Sequence, residues 1–156
     1  MNASTRSKPG ISIIELLVVI IVMGVLAAVA VPRFSNSLNE FRASAAAKRI
    51  IADLTLAQST AYSTSSPKTV TFNVTSSQYD VAGVRSLDRA SGVYRVSLVG
   101  SPYLSTLLSV WGLSGSQSIT FDGYGRPNKG GQIVLASGGI RKTIVVEPIL
   151  GTMVIQ

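Results

Sequence analysis

KPGISIIELLVVIIVMGVLAAVAVP, residues 8–32, is the stretch that decides the architecture of this chain. From residue 11 to residue 31 only Ser12 and Glu15 are polar. As an α-helix this run would extend about 31 Å, close to the thickness of a hydrocarbon core. Arg6 and Lys8 precede it. The pattern therefore predicts a membrane-spanning helix whose basic flank keeps the N-terminus in the cytoplasm.

The apolar pattern continues past Pro32 but becomes one-sided. Its apolar residues recur at helical spacing and comprise Phe34, Leu38, Phe41, Ala45, Ile50, Leu54, Ala57 and Ala61. The charged residues that fall largely off this stripe are Glu40, Arg42, Lys48, Arg49 and Asp53. We predict that an amphipathic helix follows the apolar one without a break. Pro32 should kink the helix without ending it, and the Ser/Thr-rich segment before Pro67 should end it.

The remaining residues alternate between apolar and polar, as β-strands do. Residues 70–74 show the pattern most clearly, with Val, Phe and Val separated by Thr and Asn. Further strands are predicted at residues 94–98, 119–121, 132–136, 143–147 and 152–156, between clusters of Gly, Pro, Asn and Ser. Residues 104–113 fit a helix or a strand. The sequence thus predicts an α+β chain, in which a long N-terminal α-helix packs, through its second half, on a mainly antiparallel β-sheet head.

The composition excludes much of enzyme chemistry. The chain contains no His and no Cys, so the commonest general base, the commonest metal ligand and all thiolate chemistry are missing. Charged residues make up 13% of the chain, against roughly 25% in ordinary soluble proteins. This low fraction fits a chain that meets a membrane or an apolar partner. We predict that the protein is not an enzyme and holds neither a metal nor a cofactor.

The junction at residues 8–32 resembles the prepilin N-terminus of type IV pilins and type II secretion pseudopilins. That family has a short basic leader, a glycine at the cut, an apolar residue that opens the mature chain and a glutamate at its fifth position. Gly10, Ile11 and Glu15 match these features. Pro32 stands where many of these subunits have a helix-bending proline. The stretch departs from the more frequent family residues at Ser12 and Ile13.

The resemblance implies a pilin-like fold and a subunit of a type IV pilus or type II secretion filament. It divides the chain into a leader (1–10), a transmembrane and assembly helix (11–31), an amphipathic helix with its connector (32–66) and a β-rich head (67–156). A prepilin peptidase would cleave between Gly10 and Ile11 and N-methylate Ile11. The other implied partners are related subunits, an inner-membrane assembly platform and, before assembly, membrane lipid. The head would be periplasmic or exported.

Glu15 has a physical role of its own in this scheme. An acidic residue at the bilayer centre costs about 2.5–3.5 kcal/mol on insertion scales, and less near the interface, so it normally has a partner. Cleavage after Gly10 would create an α-amine one helical turn from Glu15. In a staggered bundle of such helices, the amine of one subunit would neutralise Glu15 of a neighbour. We therefore predict that Glu15 sets the axial register of assembly.

Two other interpretations of the junction are open. In the first, the helix is a plain membrane anchor and Glu15 is a tolerated interfacial charge. In the second, Ala28-Val29-Ala30 is a signal-peptidase site of small-x-small form, which would release the chain from Val31. The length of the apolar run, the position of Glu15 at its entrance and the helical pattern beyond residue 31 argue against the second interpretation.

The head resembles the FimT/GspH group of minor pilins and pseudopilins. The resemblance lies in the strand at residues 70–74 and in the segment ITFDGYGRP, residues 119–127. Because some FimT-type subunits take part in DNA uptake, the alternative function is a filament-borne adhesin or a DNA-binding minor pilin. The candidate phosphate contacts are Arg126, Lys129, Arg141 and Lys142. The lack of basic residues in 147–156 and the scarcity of interleaved aromatic residues argue against DNA.

Overall fold

The structure, a computed structural model, describes residues 10–85, 93–112 and 117–156, with the backbone alone at residues 31, 32 and 111. The chain divides into two compact units, Met1–Ser35 and Asn36–Gln156. One helix, α1, runs over Ile13–Thr64. Among the described residues of the second unit, eight strands follow it: β1 Lys68–Asn73, β2 Gln78–Ala82, β3 Tyr94–Ser97, β4 Thr106–Trp111, β5 Ser118–Phe121, β6 Gly131–Ser137, β7 Ile140–Val146 and β8 Met153–Ile155.

The helix begins and ends where the sequence supplies the signals. The Ser12 carbonyl accepts the first helical hydrogen bond, from the Leu16 amide at 3.1 Å. At the other end Ser65 adopts a φ of 45°, and the Ser66 amide donates back to the Ala61 carbonyl before Pro67. The predictions that the helix passes through the proline at residue 32 and ends in the Ser/Thr-rich segment are therefore confirmed. The kink at that proline stays a prediction.

The strands form two antiparallel four-stranded sheets. In sheet A the order is β3-β2-β1-β5, and in sheet B it is β4-β6-β7-β8. Ser77, in the turn between β1 and β2, connects the two sheets. Its carbonyl accepts a hydrogen bond from the Leu98 amide at 3.0 Å, and its hydroxyl accepts one from the Leu107 amide of β4 at 3.1 Å. This buried serine fixes the point at which the chain crosses from sheet A to sheet B.

One core joins the second part of α1 to both sheets. The helix contributes a face of small and aliphatic residues that are all 0% exposed: Ala43, Ala46, Ala47, Ile50, Leu54, Ala57 and Ala61. Sheet A contributes the aromatic rings of Phe72, Tyr79 and Tyr94, and sheet B contributes aliphatic residues such as Ile133 and Ile144. Most of this helical face is alanine, and the larger side chains of the two sheets pack against it.

The α+β fold class is confirmed, and so are the six predicted strands. Residues 104–113, left open by the sequence, contain β4. The strand β2 was not predicted, although Tyr79 and Val81 alternate with polar residues and are both buried. The sequence pattern also did not predict that the strands divide between two sheets, because alternation shows which residues face a core but not which strands pair.

Two details of the predicted amphipathic stripe were wrong. Phe34 and Phe41 are 72% and 71% exposed and Leu38 is 37% exposed, so the buried face of the helix begins only at Ala43. Asp53, predicted to be among the charges that fall largely off the stripe, is only 4% exposed. The physical reason for its burial is a set of hydrogen bonds described below.

Candidate assembly interface

The N-terminal part of α1 exposes all its large apolar side chains. Between residues 13 and 29 there are thirteen of them, and their exposure ranges from 46% at Val19 to 85% at Ile13. At about −0.3 to −0.6 kcal/mol each on an insertion scale, they favour a membrane by roughly 4–8 kcal/mol. That sum exceeds the cost of about 2.5–3.5 kcal/mol for one acidic residue at the bilayer centre. This surface therefore suits either lipid or other apolar helices.

The length and composition of α1 support the same conclusion. Within the described residues, α1 is the one helix that is long and apolar enough to cross a membrane, and none of its most apolar window is buried in the chain. Such a window also occurs in signal sequences and in simple anchors. The helix is thus compatible with a transmembrane anchor, while its topology stays a prediction.

The predicted processing residues lie at the start of this surface. Gly10 is exposed, and a Cβ atom built on it would meet nothing within 4 Å, so the backbone here is open to close approach. Ile11 is 79% exposed. Glu15 lies in the first turn of α1, where the partial positive charge of the helix N-terminus favours a carboxylate. The three residues are close together in the chain, as the spacing requires, and their roles stay predictions.

A buried polar cluster in the second unit was missed by the sequence analysis. We define the Asp53 cluster as Arg49 and Asp53 of α1, Tyr79 of β2 and Tyr94 of β3. The Tyr79 and Tyr94 hydroxyls donate to the two Asp53 carboxylate oxygens at 2.5 and 2.7 Å. Arg49 donates from Nε to Asp53 at 3.1 Å and from Nη2 to the Tyr94 hydroxyl at 2.8 Å. These bonds join the helix to sheet A.

The environment of the Asp53 cluster favours neutral tyrosines and a charged arginine. Burial, followed by the hydrogen bond to the Asp53 carboxylate, raises the pKa of Tyr94 to about 12. Burial and the nearby carboxylate charge raise the pKa of Tyr79 still further above its ordinary value. The carboxylate also raises the pKa of Arg49, against the effect of burial. A sequence signal existed, because Asp53 falls at helical spacing between Ile50 and Ala57 on the buried stripe.

The four cations predicted to contact DNA are divided between the two ends of the β6–β7 hairpin. Lys129 lies two residues before the start of β6, whereas Arg141 pairs with Ala136 near the turn of the hairpin. Five residues of β6 separate these positions, about 17 Å along a strand. The Nζ atom of Lys142 is 3.6 Å from the Oε1 atom of Glu40. Arg126 is exposed in the turn after β5. The structure does not gather the four on one surface, and DNA binding by them stays a prediction.

The described residues also show no assembled metal site. Among them, no group of three or more His, Cys, Asp or Glu side chains could hold a metal ion. The exposed Asp122 carboxylate instead accepts hydrogen bonds from the Tyr124 and Arg126 amides at 2.9 and 2.8 Å. It organises the turn that follows β5.

A helix that is apolar and exposed over its first part, and packed on two antiparallel sheets over its second, defines a pilin-like subunit. Two crystal structures of the type IV minor pilin FimU of Pseudomonas aeruginosa, strain PAO1, have a similar fold. The first has a TM-score of 0.55 and 14% sequence identity over 75% of this chain and 90% of that chain. The second has a TM-score of 0.52 and 15% identity over 72% and 91%.

The family model described as type II transport protein GspH matches residues 46–149, and the chain belongs to this family. No curated protein sequence matches the chain significantly. The family confirms the predicted relationship to type IV pilins and type II secretion pseudopilins of the GspH/FimT kind. It makes the protein a structural subunit of the pilin or pseudopilin type. The matched residues do not include the junction at Gly10 and Ile11.

Proposed function

We propose that the chain is a prepilin-type precursor that enters a type IV pilus or type II secretion filament through its N-terminal helix. The observation that carries this proposal is the exposure of every large apolar side chain of α1 between residues 13 and 29. A folded chain that leaves so much apolar surface uncovered needs another environment for it. Lipid of the inner membrane supplies that environment before assembly, and neighbouring subunits supply it in the filament.

The proposed sequence of events starts with a single-pass precursor. Its N-terminus is cytoplasmic and its head is periplasmic. A prepilin peptidase cuts between Gly10 and Ile11 and methylates the new Ile11 amine, and an inner-membrane platform then transfers the subunit into the filament. Glu15 is the one charged residue in 11–32, so it is the natural partner for the Ile11 amine of an adjacent subunit.

The first test is the N-terminus of the protein recovered from cells, measured by intact mass. Sheared surface material and membranes would be compared. A start at methylated Ile11 is expected in at least one fraction, and its presence in the sheared fraction would indicate a surface pilus. A start at Val31 would mean an ordinary secreted protein, and an intact Met1 in membranes alone would mean a simple anchor. Either result would overturn the proposal.

The second test separates insertion from assembly. Glu15→Ala and Glu15→Gln should insert into membranes at least as well as the original chain, because the charge cost is removed. The variants lose the ion pair between Glu15 and the Ile11 amine of an adjacent subunit. If that pair contributes about 1.4 kcal/mol or more to assembly, filament yield should fall about tenfold or more. Ser12→Ala, three residues away on the same exposed segment, is the control and should leave the yield unchanged. Normal filaments from both Glu15 variants would refute the register argument.

A further inference from the structure

The outer face of sheet A carries a polar groove. Thr71, Asp80 and Arg95 lie side by side across β1, β2 and β3, and Asn73 and Gln78 form a second row beside them. A groove of about 520 Å³ lies over these residues. Its rim is formed by Thr75 and Ser76 of the β1–β2 turn and by Gln117. We call this the sheet A groove.

The charges of the described residues that line the sheet A groove balance. Arg95 donates from Nε and Nη2 to the two carboxylate oxygens of Asp80 at 2.7 and 2.8 Å. This bidentate bond lowers the pKa of Asp80, so the carboxylate is charged at neutral pH. The other lining side chains are hydroxyls, amides and aromatic rings. Among the described lining residues, this balanced ion pair leaves no net charge that would attract a polyanion such as DNA or a polycation.

The groove offers hydrogen bonds rather than apolar contact. Phe72 and Tyr79 contribute to its floor, but their side chains face the core and are only 2% and 1% exposed. Within the described part of the chain, the side chains of Thr71, Thr75 and Gln78 make no hydrogen bond. The Arg95 guanidinium has five N–H donors, of which Asp80 takes two. The described lining residues therefore present hydrogen-bond donors and acceptors with no exposed apolar side chain between them.

We infer that the sheet A groove binds a neutral saccharide of two or three sugar rings. Sugar hydroxyls both donate and accept, so they match a surface of hydroxyls, amides and a shared ion pair. The volume lies in the range of about 300–1,000 Å³ that is usual for small-ligand sites. Because the described residues that line the groove include no exposed aromatic ring, we expect weak binding, with a Kd of about 1 mM. This inference goes beyond the proposed function and depends neither on cleavage nor on filament assembly.

The experiment is saturation-transfer NMR on the full chain in phosphatidylcholine nanodiscs, which contain no glycoside detergent. The probes are maltotriose, cellotriose, triacetylchitotriose and a neutral Gly/Ser hexapeptide. Saturation transfer to at least one trisaccharide is expected. Gln78→Ala and the double variant Asp80→Asn/Arg95→Gln should each reduce it at least fivefold. Gln132→Ala, an exposed glutamine on sheet B, is the matched control and should leave it unchanged.

Circular dichroism would establish that each variant keeps its fold. Three outcomes would overturn the inference. The first is the absence of transfer to all three trisaccharides. The second is an equal saturation-transfer signal in the original chain and in both groove variants, or a loss of signal in the Gln132→Ala control as large as that in the groove variants. The third is transfer to the hexapeptide alone, which would make the groove a peptide site.

Discussion

Tyr79→Phe tests whether the Asp53 cluster stabilises the second unit. The substitution removes one oxygen atom from a side chain that is 1% exposed and leaves the ring in place. The lost hydroxyl donates to the Asp53 carboxylate at 2.5 Å. Hydrogen bonds to charged groups contribute about 1.5–3 kcal/mol each. We therefore expect the free energy of unfolding to fall by about 1.5–3 kcal/mol.

The remaining contacts of Asp53 keep this loss from being larger. After the substitution, the carboxylate still accepts from Arg49 at 3.1 Å and from Tyr94 at 2.7 Å. Asp53→Ala should cost more, about 3–5 kcal/mol, because it removes the acceptor of two buried hydroxyls and of the Arg49 guanidinium. The Arg49 side chain is 28% exposed, so water relieves part of that cost. The expected order of stability is thus original chain, Tyr79→Phe, then Asp53→Ala.

The assay is thermal unfolding of the full chain in nanodiscs, followed by circular dichroism and by the fluorescence of Trp111, the one tryptophan of the chain. For a unit of this size, 1 kcal/mol shifts Tm by about 4 °C, so Tyr79→Phe should lower Tm by roughly 6–12 °C. Tyr62→Phe is the matched control, because Tyr62 is 69% exposed. A Tm for Tyr79→Phe within 2 °C of that control would refute the reasoning.

Two further predictions concern the same unit. The pKa of Tyr94 is raised from about 10 to about 12 in the folded chain, so its contribution to stability is complete below pH 10 and is lost as pH rises towards 12. The urea concentration at the midpoint of unfolding should therefore decrease between pH 8 and pH 12. If a Tyr94→Phe variant showed the same decrease with pH, the prediction would be contradicted. Gly130→Ala should cost about 1–3 kcal/mol, because its Cβ would lie 2.8 Å from the Val146 carbonyl oxygen, whereas Gly100→Ala meets nothing within 4 Å and should be neutral. Equal urea midpoints for the two glycine variants would refute this.

Much of the fold followed from local patterns because those patterns report local geometry. The apolar run before residue 32, the Ser/Thr-rich end of the helix and the alternation in β1 each depend on residues close in sequence. Strand pairing depends on contacts between distant residues, and alternation carries no information on it. For this reason six of the strands were predicted one by one, while their division between two sheets was not.

The predicted processing residues lie close together in the chain. Gly10, Ile11 and Glu15 fall within six residues, so the sequence alone brings them together, and their roles stay predictions. Phe41 shows a limit of the helical pattern, because it lies on the predicted apolar stripe and is 71% exposed. Sequence periodicity identifies an apolar stripe but does not say whether the same chain or another molecule covers it. An exposed part of such a stripe is expected in a subunit that meets neighbours.

Asp53 is a charged residue on the apolar stripe of α1, and such an exception to the helical pattern indicates a specific contact. The helical face around it is largely alanine, including Ala46, Ala47 and Ala57, all 0% exposed. A face of small, similar side chains offers little shape complementarity that would fix one position of the helix on the strands. A carboxylate on that face is stable only where it meets the hydroxyls of Tyr79 and Tyr94. We therefore expect the Asp53 cluster to select one position of the helix on sheet A. In a sequence, a charged residue on an apolar helical stripe predicts hydrogen-bonding partners on the strands that face it.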